Sequence, residues 1–443
     1  MRVNISNKRV FTDIMRRLFP RFNMPKINGL AIDSRYIEQG DIFLALKGNN
    51  FDGHQFIPQA EAAGASLAFI EHPTKTNLCT QQVQSTKTLL HDIAHEYRTQ
   101  FSYPLIGITG SNGKTTTKDL LCHILSEEMN VVSTEGNFNS TTGAPLSLLS
   151  FDIDADIGII EIGANKPGEI ETICSVVKPN MGLITNIGAT HLANFGSINE
   201  IAKTKFALFA CLPSNGTAFV NLDDPFISKM NVSCFRIEYS LNTTADYQGI
   251  WTPETKQLEV NSTIVDLSDY PKSMSINSLA VYAVAAELGC SLPLINSRVQ
   301  SFHIPKGRGE IIQLHNYTII NDSYNANLDS AKLGIYNLSN FSCPGRKITV
   351  IGDMLELGAK EKECHRELGK YLVDKKVDAV FAFGNLTQHA IHAMNGTNCF
   401  HQFYSDKKLL IADLKKYLQN GDVIYIKGSR GMKMEDIIIG LKT

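Results

Sequence analysis

The sequence predicts an α/β protein of three domains: a small mixed α/β N-terminal domain, a central parallel-sheet domain and a C-terminal doubly wound domain. Its 443 residues leave room for about three domains of ordinary size, each with its own core. Beyond residue 103, short apolar runs alternate with amphipathic helical stretches, the pattern that builds parallel sheets. A strand-rich stretch, 217–268, breaks that alternation, which starts afresh near residue 306. The boundaries are therefore set at 1–102, 103–305 and 306–443.

Composition narrows the function. Charged residues make up 19% and the formal net charge is −2, so no overall positive field favours nucleic acid or an anionic membrane. The nine cysteines contain no C-x-x-C pair and no disulfide-like spacing, which points to a reducing compartment. The first residues lack an apolar signal core, and no apolar run approaches the roughly 18 residues needed to span a bilayer. A soluble cytoplasmic protein without membrane insertion is expected.

In the first domain, Val10, Phe11, Ile14 and Leu18 oppose Lys8, Arg9, Arg16 and Arg17, as on a basic amphipathic helix. Two strand-like runs follow, 29–35 and 40–48, then a helical stretch, 55–63, and the strand 67–70. Both early runs end in a cation, Arg35 and Lys47, and the polar segment from Gly48 to His54 comes next; this set suits a diphosphate or sugar nucleotide, though residue type alone describes a solvated loop as well. A helix over 86–101 is marked by Leu89, Leu90, Ile93, Ala94 and Tyr97, and Tyr103-Pro104 ends it. His91 and His95 stand four apart on it, but with no acidic residue in the metal-binding place between them they read as a surface pair.

The central domain opens on the strand 104–109, which breaks into Gly110-Ser111-Asn112-Gly113 and leads into the helix 115–125. Glycines between a buried strand and a helix leave backbone N–H groups free to face an anion, aided by the helix dipole. Lys114 then reaches the terminal phosphates as a point charge, and the Thr115 hydroxyl is placed to ligate Mg²⁺, with Thr116 beside it. The strict P-loop spacing asks for glycine where Ile108 stands, so the pattern is offset, yet strand, Gly-Lys-Thr and helix come in the right order. A nucleoside triphosphate site follows, and with it a P-loop reading of the central domain. Further elements are expected at 130–133, 156–162, 168–177, 181–186, 197–212 and 277–288.

Two strand ends beyond the cradle carry side chains that suit a metal. Glu161 closes the run 156–161, where a carboxylate would lie beside the P-loop, and His191 follows the next strand. The helix after it starts at Ser197-Ile-Asn-Glu200, a capping box that fixes its register. In that register Lys205 falls on the apolar stripe with Ile201 and Leu208, where an ammonium must snorkel, pair or change its chemistry. Lys203 points elsewhere.

In the third domain, strands are expected at 317–321, 347–351, 379–383 and 422–426, with helices at 328–338, 361–373 and 406–418. Loops 321–327, 352–354 and 427–431 sit at the strand ends, where Rossmann-like sheets bind their ligands.

Several separated motifs carry a family resemblance. Thr109-Gly-Ser-Asn-Gly-Lys-Thr-Thr, Thr134-Glu-Gly-Asn-Phe-Asn139, Glu161-Ile-Gly-Ala-Asn and Asn186-Ile-Gly-Ala-Thr-His191 resemble the Mur ligases, ATP-dependent amide-forming enzymes of peptidoglycan synthesis. Asp33-Ser-Arg35, the run from Ala45 to His54, Asp322-Ser-Tyr-Asn-Ala-Asn327 and Gly352-Asp-Met-Leu-Glu-Leu-Gly358 resemble the branch that adds D-alanyl-D-alanine to UDP-N-acetylmuramoyl-tripeptide. The Asp-Asn-Pro-Arg motif of the diaminopimelate-adding relatives is absent.

The resemblance implies ATP and two Mg²⁺ ions, with Thr115, Glu161, His191 and a carbamylated Lys205 around the metal. It implies that Asn277 faces the adenine and that Arg308 and Asp322 meet the nucleotide on domain closure. Ser34, Arg35, Lys47 and His54 are implied to hold the UDP-substrate, together with Asn139 and Thr141, while Tyr324, Asn325 and Arg430 receive the dipeptide. A monomer is expected. One departure stands out: Pro271-Lys-Ser-Met-Ser-Ile-Asn277 replaces the Gly-x-His that relatives carry just before the adenine-facing asparagine. The competing expectations are another Mur-type amino-acid ligase and a folylpolyglutamate synthetase-like enzyme; a GTPase-like switch is disfavoured because no Asn-Lys-x-Asp motif occurs.

Overall fold

The computed structural model describes residues 1–48, 51–267, 270 and 273–442. Asn49, Asn50, Pro271 and Lys272, which belong to motifs discussed above, lie outside the described residues. Three sheets organise the chain.

The first sheet has five strands, with Arg2–Asn4 antiparallel to Gly29–Ala31, and Ile42–Leu44, Leu67–Ile70 and Thr80–Gln82 following in parallel. Asn7 caps the helix Lys8–Leu18 by accepting from the Val10 N–H, and the helix buries Phe11, Ile14 and Met15. Leu18, expected on that face, is exposed because the last turn has run past the core. Helix Thr86–Arg98 buries Leu89, Leu90, Ile93, Ala94 and Tyr97 as the periodicity requires. It does not stay within its own domain. Arg98 donates from Nε to the Val177 carbonyl at 2.9 Å and from Nη2 to Lys178 O at 3.2 Å and Asn180 Oδ1 at 3.0 Å, and the Tyr97 hydroxyl donates to Phe151 O.

The second sheet has nine strands. Val131–Ser133, Ile157–Glu161, Leu105–Thr109, Met181–Ile184, Thr217–Asn221 and Phe235–Ser240 are parallel neighbours in that order, and Tyr247–Thr252 continues them. Gln257–Val260 and Thr263–Asp266 then add as antiparallel strands, so the strand-rich stretch extends the central sheet rather than forming one of its own. Leu105–Thr109, buried throughout, lies mid-sheet and delivers the cradle at its carboxyl end.

The third sheet runs Glu310–Gln313, Thr318–Asp322, Val423–Lys427, Lys347–Gly352, Ala379–Phe383 and Phe400–Tyr404; only the first pair is antiparallel. Strands Glu310–Gln313 and Phe400–Tyr404 and helices Leu292–Gln300 and Glu435–Lys442 go beyond the elements predicted. Both added strands are at sheet edges and half exposed, which leaves a weak apolar signal. No helix among the described residues is long and apolar enough to cross a membrane.

Candidate active site

Gly110 and Gly113 make the cradle. Gly110 has φ +150°, and a Cβ there would stand 1.8 Å from Thr185 Oγ1; Gly113 has φ +82° at the mouth of helix Lys114–Leu125. Residues with side chains adopt such backbones at a cost, so glycine is required at both. Asn186 closes the loop from behind, its carbonyl accepting from the Ser111 N–H and its Oδ1 from the Asn112 N–H. The N–H groups of Gly113 through Thr116 then have no partner among the described residues, and no side chain caps this helix. That is an anion site made of backbone. Lys114 folds over it, donating from Nζ to Gly110 O at 2.7 Å. Burial, the largest cause, lowers the Lys114 pKa, Arg308 lowers it further, and Glu161 opposes both.

Glu161 is 1% exposed at the end of its strand. Its Oε1 accepts from Asn139 Nδ2 at 2.6 Å, and its Oε2 is buried without a partner among the described residues. A buried carboxylate oxygen left unpaired is costly unless something charged arrives to meet it. The donor chemistry fits Mg²⁺: a hydroxyl at Thr115, this carboxylate, and phosphate oxygens from the nucleotide are hard oxygen ligands. His191 has φ 49° and sets Nδ1 2.6 Å from Glu356 Oε2 of the third domain, a contact that holds the Glu356 carboxyl below its usual range.

Lys205 is 4% exposed on helix Ile198–Ala210, whose start is capped by Ser197 accepting from the Glu200 N–H. It does not snorkel. Burial first, and then the charge of Lys114, push its pKa well below the ordinary lysine value. No carboxylate pairs with it among the described residues, and it lines the cleft. Lys203 is exposed.

The third domain closes the front. Arg308 Nη2 donates to Thr115 Oγ1 at 3.0 Å, Asn327 Nδ2 to Asn112 Oδ1 at 2.8 Å, and the Ala189 N–H to Asp329 Oδ2 at 3.0 Å. Asp322 Oδ2 accepts from Lys427 Nζ at 2.6 Å and from the Tyr425 hydroxyl at 2.9 Å. Between the domains lies a cleft of about 1270 Å³, lined by Gly110 through Thr116, Asn139, Glu161, His191, Lys205, Asn277, Arg308, Asp322, Tyr324 and Asn325. Asn277, 6% exposed, stands against the cradle: a Cβ on Gly113 would lie 3.0 Å from its Nδ2.

Six expected residues lie outside that lining: Ser34, Arg35, Lys47, His54, Thr141 and Arg430. Ser34 donates to Gln59 Oε1, and Lys47 bridges to Asp52 through its backbone. Arg35 is exposed and donates to both Asp33 oxygens, which holds the Asp33 carboxyl down at about 2. His54, expected to contact the UDP-substrate, keeps its buried ring in internal bonds. Nδ1 bonds Asp52 Oδ1 at 2.6 Å, and Nε2 accepts from the Glu71 N–H at 2.8 Å. The same bonds spend the His54 nitrogens of the Asp52, His54, His72 cluster, leaving too few free ligands for a metal. Thr141 offers its carbonyl to His91 Nε2, and His95 bonds Val176 O, so this histidine pair serves the domain interface rather than the open surface. Arg430 pairs with Glu435 at 2.8 Å, behind Tyr324.

Asn186, Asn327, Asp329, Glu356 and Lys427 join the site without being among the residues expected there. Asn327 carried a signal, being an asparagine set to cap the helix that follows, and so did Lys427, a cation at a buried strand end.

The family described as Mur ligase middle domain matches residues 108–285, that described as Mur ligase, glutamate ligase domain matches 307–430, and that described as Mur ligase family, catalytic domain matches 26–98. The UDP-N-acetylmuramoyl-tripeptide–D-alanyl-D-alanine ligase of Bacillus subtilis is 33% identical over 436 residues, covering 95% of this chain and 94% of its own. A crystal structure of MurF from Acinetobacter baumannii superposes with a TM-score of 0.87 at 27% identity, over 98% of each chain. MurF from Thermotoga maritima in complex with ADP superposes with a TM-score of 0.83 at 28% identity, over 93% of this chain and 96% of its own.

Proposed function

The chain belongs to the Mur ligase family, and from that premise we propose that it joins D-alanyl-D-alanine to UDP-N-acetylmuramoyl-tripeptide, converting ATP to ADP and phosphate. The observation that supports this most is the direct bond between Asn327, in the Asp-Ser-Tyr-Asn-Ala-Asn loop, and Asn112 of the cradle. It sets the loop assigned to the dipeptide against the loop assigned to the phosphates.

Residues 1–102 hold the UDP end through Ser34, Arg35 and Lys47. Residues 103–305 hold ATP, with Asn277 toward the base, and residues 306–443 receive the dipeptide at Tyr324, Asn325 and Arg430. The tripeptide's terminal carboxylate attacks the γ-phosphorus, giving an acyl phosphate and ADP. The dipeptide amine then attacks the acyl carbon, the C–N bond forms, and phosphate leaves. Both partners of the first step are anions, so the barrier is largely electrostatic. The free N–H groups of Gly113 through Thr116, Lys114 and Arg308 offset that repulsion, and closure of the third domain keeps water from the acyl phosphate. Magnesium, held by Thr115, Glu161 and His191, would supply further charge neutralisation at the phosphates.

Lys205 completes the metal-facing wall as a carbamate. Its neutral amine attacks CO₂, the N–C bond forms, a proton is released to solvent, and a buried basic group becomes an anion facing the cleft. The nine cysteines, all free among the described residues, suit the reducing cytoplasm in which we place the reaction, and we assign a monomer.

Phosphate release from UDP-muramoyl-tripeptide, ATP and Mg²⁺ tests the reading. It should require D-alanyl-D-alanine. Release with a single amino acid or glutamate, and none with the dipeptide, would favour another Mur-type or folylpolyglutamate synthetase-like ligase.

A further inference from the structure

The short loop entering the third domain is stitched to the Asp322–Asn327 loop on both sides of Arg308. The Gly309 N–H donates to Asn321 O at 2.8 Å and the Tyr324 N–H to Gly307 O at 3.1 Å. Gly307 and Gly309 have φ +77° and +93°, so glycine on each side lets the backbone make this double contact. Arg308 projects from between them. Its guanidinium carbon lies 3.7 Å from the centre of the Tyr324 ring while its Nη2 donates to Thr115 Oγ1 at 3.0 Å.

No carboxylate pairs with Arg308 among the described residues. A guanidinium on a long stem without an ionic partner has several rotamers of similar energy, and the face of an aromatic ring selects one of them. Arg430 also lies over the Tyr324 ring, at 5.7 Å, but Glu435 holds it outside the cleft. Tyr324 and Asn325 line the cleft itself.

We propose that Tyr324 is the positioning residue that holds Arg308 on the nucleotide cradle, and that through this stack occupancy of the dipeptide end of the cleft strengthens nucleotide binding at the other end. The naming of the dipeptide end rests on the ligase reading above. A dipeptide that orders the Tyr324 ring orders Arg308 with it, and linkage makes the effect reciprocal: nucleotide tightens the dipeptide by the factor with which the dipeptide tightens nucleotide.

The test is calorimetry on the intact chain with Mg²⁺ and a non-hydrolysable ATP analogue, with and without D-alanyl-D-alanine. Tyr324→Ala should weaken analogue binding about five- to tenfold, and Tyr324→Phe, which keeps the ring, by less than about twofold. Arg308→Ala should weaken it at least as much as Tyr324→Ala, and the double variant no more than Arg308→Ala alone, because the two residues act as one unit. The dipeptide should tighten the analogue in the wild type and fail to do so in Tyr324→Ala. Wild-type affinity in Tyr324→Ala, or additive losses in the double variant, would overturn the proposal. Should Tyr324→Ala fail to fold by circular dichroism, Tyr324→Leu keeps the bulk without the ring face and is read the same way. Phosphate release by the wild type is scored separately: if it needs no dipeptide the ligase reading falls, whereas the Arg308 and Tyr324 cycle stands or falls on nucleotide binding alone.

Discussion

Asn327 does two jobs with one amide, and substitutions can separate them. Its Oδ1 accepts from the Ser330 N–H at 2.9 Å, capping helix Leu328–Ser339, while its Nδ2 donates to Asn112 Oδ1 at 2.8 Å across the domain boundary. The cap is worth about 1 kcal/mol, and a neutral hydrogen bond across the boundary about 1 kcal/mol more. Asn327→Ala removes both, so a loss of about 2 kcal/mol is expected in urea unfolding of the third domain. Asn327→Asp keeps the cap acceptor but gives up the bond to Asn112, so a loss of about 1 kcal/mol, half that of Asn327→Ala, is expected, partly offset by the helix dipole. That carboxylate, however, faces Asn112 Oδ1 with no proton to give and sits beside the phosphate site. A rise in KM for ATP of about tenfold, or roughly 1.4 kcal/mol, is expected from steady-state phosphate release. Wild-type KM in Asn327→Asp, or unchanged stability in Asn327→Ala, would refute the division of labour.

Other outcomes follow from the same geometry. Lys114→Ala should abolish ATP turnover in a folded protein, since Lys114 Nζ is the cation laid over the cradle; undiminished phosphate release would remove the P-loop assignment. Lys205→Arg should slow ligation roughly a hundredfold or more, about 2.7 kcal/mol, because a guanidinium does not take up CO₂; full activity at saturating Mg²⁺ and ATP would dismiss the carbamate and direct attention to Lys203. Small-angle scattering should change when nucleotide and UDP-substrate bind, the third domain moving about residues 303–309, and superimposable curves would contradict that hinge. Asp33 binds its proton less readily folded, at about 2, than unfolded, at 3.8, chiefly because the Arg35 side chain donates to it. Its stabilising contribution is present above 3.8 and is lost as pH falls through about 2. Asp33→Asn should therefore show a shallower fall in stability across that interval, and equal slopes would exclude the contribution.

The cradle, the strand ends and most helices were legible because they are written in local chemistry. Glycines that no other residue can replace, Ser197 set to cap its helix, and the period of Leu89, Leu90, Ile93 and Ala94 need no partner to be read. Lys205 was legible as a misfit, an ammonium in an apolar row; the structure supplied its neighbour Lys114 and its lack of a carboxylate. What stayed hidden depends on residues far apart in sequence. The roles of Asn186 and Glu356, and the bond from Asn327 to Asn112, exist only once separate strands and domains meet. The partners of His54 were hidden for the same reason: the sequence shows an imidazole in a polar loop, and only the fold brings the Glu71 N–H to its second nitrogen.

Arg98 has a consequence for how the molecule comes apart. It crosses from the first domain to carbonyls of the second with no carboxylate partner among the described residues, and losing its guanidinium would strand several acceptors. Around it one apolar core runs from Val3 through Phe11, Leu90 and Tyr97 to Phe151 and Ile173, spanning both domains. The cores of the third domain begin only at Ile319 and Ile320 and share nothing with it. Three sheets therefore make two cooperative units. Denaturant should melt residues 1–302 as one transition and the remainder as another, and cleavage in the connecting stretch should release two folded pieces rather than three.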